Sequence, residues 1–191
     1  LLDSFGLEQA LWFAKDKEDA FEEPTFKRSR SHKYIESEVL AVRSAVVVCE
    51  IANFSKHEFT GPDARKYLDF ILAGRIPKPG RITLNPMITK KGKLYGDLTV
   101  ACLNEEKFMI FGSGAVQEMH RRWFEKYLPN SGVKYKNRSD DYHGLAISGP
   151  ESRKLISKIS REDFSNQAFK FRDTREIYVG GVPVIINRIS F

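Results

Sequence analysis

Apolar and polar positions change period several times along the chain, and each change marks an element. Over residues 31–44 the apolar positions Tyr34, Ile35, Val39, Leu40 and Val42 recur at helical spacing and predict one helix. Residues 45–51 are rich in valine and isoleucine and predict a strand. The runs 81–88, 94–103 and 107–111 read as three strands, with Lys90-Lys91-Gly92 turning the chain between the first two. Gly112-Ser113-Gly114 then opens a helix over 115–128, closed by Pro129. Its stripe of Val116, Met119, Trp123, Phe124 and Tyr127 reads as core packing. Later, 163–167 reads as a loop, 176–179 as a strand, Gly180-Gly181 as a turn and 182–189 as a strand.

One pattern occurs twice. Residues 60–71, Thr-Gly-Pro-Asp-Ala-Arg-Lys-Tyr-Leu-Asp-Phe-Ile, align with residues 148–159, Ser-Gly-Pro-Glu-Ser-Arg-Lys-Leu-Ile-Ser-Lys-Ile, at an offset of 88. Five of the twelve positions are identical: Gly, Pro, Arg, Lys and the last Ile. Each copy follows a short strand-like run, 57–59 or 145–147. A hydroxyl residue that can cap, a Gly-Pro turn and an acid at a helix start make each copy a strand, a tight turn and an amphipathic helix. The expected fold is α+β, built of pseudo-repeated β-α-β-β units with antiparallel sheets. The units run over about 45–135 and 143–191, and the second lacks the closing strand and long helix of the first. This reading makes the chain a fragment of a longer protein. Residues 1–33 form a lead-in expected to pack onto the 34–191 domain, because Trp12, Phe13, Phe21 and Phe26 are too apolar for an exposed linker.

Composition narrows the function classes. The 191 residues are 41% hydrophobic and 29% charged, the balance of a globular protein rather than a disordered one. No apolar run is long enough to span a membrane, and the first residues lack the order of a secretory signal. Cys49 and Cys102 lie far apart in apolar runs, without a CxxC pair or a Cys/His cluster. They read as two buried, reduced thiols in a cytoplasmic setting, and no metal site is expected. Thirty-one Lys and Arg against 25 Asp and Glu give +6, which permits an anionic cofactor, an acidic surface or nucleic acid. The basic residues are spread along the chain, so nucleic acid is not the favoured partner.

No regular catalytic motif is present. His32, His57, His120 and His143 have no ligand-like spacing and read as surface or satisfied histidines. Asp97 stands out, because aspartate is disfavoured inside a strand and Gly96 before it marks a close approach. Strict alternation places Lys93, Tyr95, Asp97 and Thr99 on one face, with Leu94, Leu98, Val100 and Cys102 on the other. The carboxylate then lines a polar pocket, or else guards an edge strand against aggregation.

Several blocks carry a family resemblance. They are Glu38 with Val42-Arg43; residues 54–64, Phe-Ser-Lys-His-Glu-Phe-Thr-Gly-Pro-Asp-Ala; and residues 72–81, Leu-Ala-Gly-Arg-Ile-Pro-Lys-Pro-Gly-Arg. They continue with residues 83–87, Thr-Leu-Asn-Pro-Met; residues 91–101, Lys-Gly-Lys-Leu-Tyr-Gly-Asp-Leu-Thr-Val-Ala; and Phe111-Gly112-Ser113-Gly114. On these, residues 34–191 resemble the folate-binding aminomethyltransferase domain, the fold of the glycine-cleavage T-protein. The 72–81 block and the lead-in Gly6-Leu7-Glu8 with Leu11-Trp12-Phe13-Ala14 resemble the branch joined to dimethylglycine and sarcosine dehydrogenases. Departures are Val47 for the family's glycine, Glu50 for its aspartate, Ala52-Asn53 for its Ser-Pro, and Phe54 for the T-protein's methionine.

The resemblance implies an aminomethyltransferase folate-binding fold that binds tetrahydrofolate and forms 5,10-methylenetetrahydrofolate from an N-methyl-derived iminium or formaldehyde. It implies Asp97 as the catalytic carboxylate, with Phe54, Met87, Tyr95 and Thr99 beside it as cofactor-binding residues. Its partners would be folate and an N-methylated amine, with FAD only on a separate upstream flavin domain. A eukaryotic source would place it in the mitochondrial matrix. The family's pterin-binding glutamate, in a Gly-Glu-x-Gly-Tyr-Glu stretch, would lie beyond Phe191. Alternatives of the same fold are a T-protein-like aminomethyltransferase, a sulfonium demethylase, and a non-catalytic folate-sensing or assembly protein.

Overall fold

The computed structural model describes residues 2–4 and 7–190; Gly6 of the lead-in motif and the terminal Phe191 lie outside the described residues. Antiparallel strands β1 (Leu2–Ser4) and β2 (Leu7–Gln9) come first, then helix α1 (His32–Ser44) and β3 (Val47–Glu50). Next are β4 (Phe54–Thr60), α2 (Ala64–Ile71), β5 (Arg81–Ile88), β6 (Leu94–Asn104) and β7 (Lys107–Ser113). Helix α3 (Gln117–Tyr127), β8 (Lys134–Asn137), β9 (Leu145–Ser148), α4 (Ser152–Ile156), β10 (Thr174–Val179) and β11 (Val182–Asn187) complete the order. The result is α+β with antiparallel sheets. Two compact units form. One takes the residues up to Cys49 with Ala146–Leu155, the other Glu50–Leu145 and the residues from Ile156 onward.

In the first unit, β3 pairs with β9. Cys49 is exposed rather than buried: Val48 and Glu50, which point to the opposite face of β3, are exposed too, so neither face of this short strand is covered there. The aromatic lead-in also differs from expectation: Phe13, Phe21 and Phe26 are exposed. Polar contacts fasten this segment instead. Asp19 accepts a 2.7 Å hydrogen bond from Tyr34 Oη and an ion pair from Lys33, and its carbonyl accepts one from Trp12 Nε1.

The second unit is built on a five-stranded antiparallel sheet of order β5-β6-β7-β4-β8. Helices α2 and α3 cover one face. Ala64, Tyr67, Leu68 and Ile71 recur at helical spacing on α2 and pack with Phe59, Leu98, Val100, Phe108, Ile110 and Phe124. Tyr67 Oη donates to the Phe124 carbonyl at 2.7 Å, which ties α2 to α3. On the other face a smaller cluster, Ile82, Ala101 and Met109, packs with Tyr142 and with Ile185 of β11. The β10–β11 hairpin turns at Gly180-Gly181, whose φ angles of 58° and 82° suit a two-residue loop.

The Gly-Pro turn recurs in three dimensions. Gly61 and Gly149 have φ of 122° and 118°, and a Cβ on either would lie 2.4 Å from a carbonyl oxygen, of Gly132 or Ala45. Those same carbonyls accept from the amides of Asp63 and Glu151, at 3.0 Å in both copies. The helices that follow are unequal, eight residues in α2 and five in α4.

Candidate functional site

Strand register sorts the expected residues. Residues paired across strands share a face, and neighbours along a strand alternate. Leu84 pairs with Thr99, Thr99 with Phe111, and Phe111 with Lys56; Pro86 pairs with Asp97 and Ser113 with Phe54. Asp97, Thr99 and Phe54 therefore lie on one face, opposite α2 and α3. Asp97 and Phe54 are separated by β7, about 10 Å at ordinary strand spacing. Asp97, Ser113, Leu84 and Phe54 are exposed, while Pro86, Thr99 and Phe111 are half-buried. The other half of this face is covered. There the Glu58 carboxylate pairs with Arg138 at 3.3 Å, and Lys107 pairs with Glu176 of β10 at 2.6 Å. The open half, centred on Asp97, is the candidate site.

Two expected residues lie elsewhere. Met87 is fully buried in the helix-side core. Tyr95 also turns to the helix side, its ring 4.4 Å from that of Trp123 on α3. The cause is a bulge: Met87 pairs with Gly96 but Ile88 pairs with Leu94, so Tyr95 is the extra residue. Strict alternation holds from Gly96 onward and fails before it.

Sequence reasoning missed three residues. Lys56 is buried on the open face's side of β4, and its ammonium donates 2.7 Å bonds to the carbonyls of Ala52 and Phe54. Those bonds fix the turn that leads into Phe54 at the start of β4, and burial holds the lysine below its ordinary pKa. His57 and His120 are buried on the helix side, ring centroids 6.3 Å apart. Burial first, and the neighbouring His120 second, lower the His57 pKa to about 4, and burial lowers that of His120 too. His57 Nδ1 and the Tyr135 hydroxyl share a 2.9 Å hydrogen bond. The available signal was the period-two placement of His57 between Ser55 and Phe59, which puts it on the core face.

Beside Leu84 the sheet edge is basic. Arg75, Lys78, Arg81, Thr83, Leu84 and Arg172 line a groove of about 350 Å³. Arg172 holds a left-handed φ of 67° while its guanidinium donates to the Ile82 carbonyl and Thr83 Oγ1.

Residues 1–191 match the GCVT N-terminal domain. The chain belongs to that family. This GCVT domain is 34% identical over 189 residues to the mitochondrial dimethylglycine dehydrogenase of Homo sapiens, covering 97% of this chain and 22% of that protein. To the sarcosine oxidase subunit alpha of Rhizobium meliloti (strain 1021) it is 28% identical, covering 97% of this chain and 19% of that one. To the aminomethyltransferase of Thermosipho melanesiensis (strain DSM 12029 / CIP 104789 / BI429) it is 30% identical, covering 82% of this chain and 43% of that one. The GCVT domain thus spans about a fifth of the dehydrogenase's length. Its fold is shared with the glycine cleavage system aminomethyltransferase T of Bartonella henselae, with a TM-score of 0.65 and 18% identity over 74% of this chain and 38% of that one. It is shared also with heterotetrameric sarcosine oxidase from Corynebacterium sp. U-96, with a TM-score of 0.60 and 15% identity over 86% of this chain and 82% of that one.

Proposed function

We propose that this GCVT domain binds tetrahydrofolate on the open half of its sheet and loads it with a one-carbon unit from an N-methylated amine. The domain would serve a dimethylglycine or sarcosine dehydrogenase-like protein, in which a flavin-bearing domain or subunit performs the oxidation. With mitochondrial relatives at hand, the matrix is the compartment to expect for a eukaryotic source. The supporting observation is the placement of Asp97: an exposed carboxylate on the same face as Thr99 and Phe54, on the uncovered half of the sheet.

The residues present fit the group. Phe54, Leu84 and the half-buried Pro86 and Phe111 offer apolar surface for a flat heteroaromatic ring system. The basic groove beside Leu84 suits an anionic glutamate tail. Bound tetrahydrofolate supplies the nitrogen nucleophiles that accept the one-carbon unit. In this reading the Asp97 carboxylate accepts a folate N–H and favours cationic charge as it develops. Lys56 holds the start of β4, with Phe54, at the site's edge through its two carbonyl contacts.

The test uses the full-length protein. Binding of 5-formyltetrahydrofolate is measured by calorimetry, and formation of 5,10-methylenetetrahydrofolate is then followed in the wild type and in Asp97→Ala. The expected outcome is retained folate binding with a rate reduced by about 10²–10³, equivalent to about 3–4 kcal/mol. An Asp97→Ala protein that transfers one-carbon units at the wild-type rate removes Asp97 from the mechanism.

A further inference from the structure

The segment that carries Asp97 packs against the imidazole of His120. A Cβ on Gly96 would lie 3.0 Å from His120 Nε2 and 3.1 Å from Met87 Cε. A Cβ on Gly112, on the neighbouring strand β7, would lie 2.8 Å from Leu98 Cδ2, 3.0 Å from His120 Nδ1 and 3.1 Å from its Cε1. The ring therefore lies across both strands, in space that any side chain at either position would claim. Gly96 immediately precedes Asp97, so the carboxylate leaves the sheet on the opposite face from the residue seated on the ring. Gly112 stands in the same relation to Ser113, the strand partner of Phe54.

Helix α3 grips this segment twice. His120 and Trp123 are three positions apart and so neighbours on the helix surface. His120 underlies Gly96, while the Trp123 ring packs on Tyr95, the bulged residue next to it. Both nitrogens of His120 lack a hydrogen-bond partner among the described residues, so contact rather than hydrogen bonding to the protein holds the ring against the glycines. A bulge loosens strand pairing and re-aims the side chains that follow it. Here the helix supplies the missing constraint.

We infer that His120 is a positioning residue for Asp97: its imidazole, seated on Gly96 and Gly112 and assisted by the Trp123–Tyr95 contact, sets the height and direction of the carboxylate on the far face of the sheet. This rests on the role of Asp97 proposed above. The two are separable, since His120 touches neither folate nor the open face. A shift of the carboxylate by a fraction of an ångström acts on the rate and leaves the apolar contacts to the cofactor in place.

The experiment compares wild type, His120→Ala, Asp97→Ala and the double variant of the full-length protein, measuring kcat for one-carbon transfer, Kd for 5-formyltetrahydrofolate, and thermal unfolding. The expected result for His120→Ala is a kcat lower by about tenfold or more with Kd changed by less than about twofold. The second expectation is non-additivity, with His120→Ala costing nothing further in the Asp97→Ala background. A wild-type kcat in His120→Ala overturns the inference, and so does an equal further loss in the Asp97→Ala background. A wild-type rate in Asp97→Ala overturns the carboxylate's role and this inference together. A loss in Asp97→Ala with none in His120→Ala overturns this inference alone. Should His120→Ala fail to fold, Gly96→Ala presses on the same contact from the strand side and keeps every existing side chain. It is expected to lower kcat with Kd preserved, and an unchanged kcat there counts against the inference equally.

Discussion

His57 is buried against Phe124, with ring centroids 5.0 Å apart, and against Tyr135, which shares a hydrogen bond with its Nδ1. Removal from water lowers its pKa from 6.5 to about 4, and His120 shifts in the same direction. Above pH 6.5 the ring is neutral in both folded and unfolded chains. Between pH 6.5 and about 4 the unfolded chain takes up a proton that the folded one refuses. Stability is therefore fully present above the unfolded value and falls as pH drops through this window, by about 3 kcal/mol for His57. Urea unfolding at pH 7, 6, 5 and 4.5 should show the midpoint moving down. A flat profile would contradict the burial argument. The residue scale is also where alternation failed. Tyr95 could not be assigned a face without knowing that β6 gains a residue against β5.

At the scale of elements, the repeated Gly-Pro turn is the most constrained feature. Gly61 and Gly149 each combine a left-handed φ with a carbonyl 2.4 Å from where a Cβ would stand. Gly61→Ala and Gly149→Ala should each destabilise their unit by at least about 2 kcal/mol, because strain and a backbone clash add. Gly92→Ala is the control. Its φ is 73° but nothing lies within 4 Å, so strain alone remains, about 1 kcal/mol. Denaturant unfolding of the three variants checks the order, and equal losses would show that the carbonyl contact contributes nothing. The turn's geometry was legible in Thr60-Gly61-Pro62 and Ser148-Gly149-Pro150, since few other sequences permit it. The inequality of α2 and α4 was not, because helix length depends on what the following residues pack against.

At the scale of the molecule, the sheet is half covered, and the basic groove opens beside Leu84. Leu84 lies two residues along β5 from Pro86, the partner of Asp97, or about 7 Å. An anionic tail leaving the Asp97 region along β5 would reach Arg75, Lys78 and Arg172. Arg75→Ala with Lys78→Ala should weaken binding of polyglutamylated folate more than that of monoglutamyl folate at low ionic strength, with the difference fading as salt rises. Equal wild-type affinity for the two folates at low salt would remove the groove from the site.

Apart from the short strands β1, β2 and β8, the order of strands and helices, the repeated Gly-Pro turn and the face of Asp97 were set by local pattern. Period and turn chemistry act over a few residues, so the sequence by itself determined them. Contacts across long chain separations decided the rest. Met87 left the site because β5 meets the helix-side core at that register, and Tyr95 left it because of the bulge. Cys49 is exposed because neither face of β3 is covered at that point. His57 and His120 met because β4 and α3, far apart in the chain, share one face of the sheet. Pairing register and packing are properties of two segments at once, and no pattern within either segment records them.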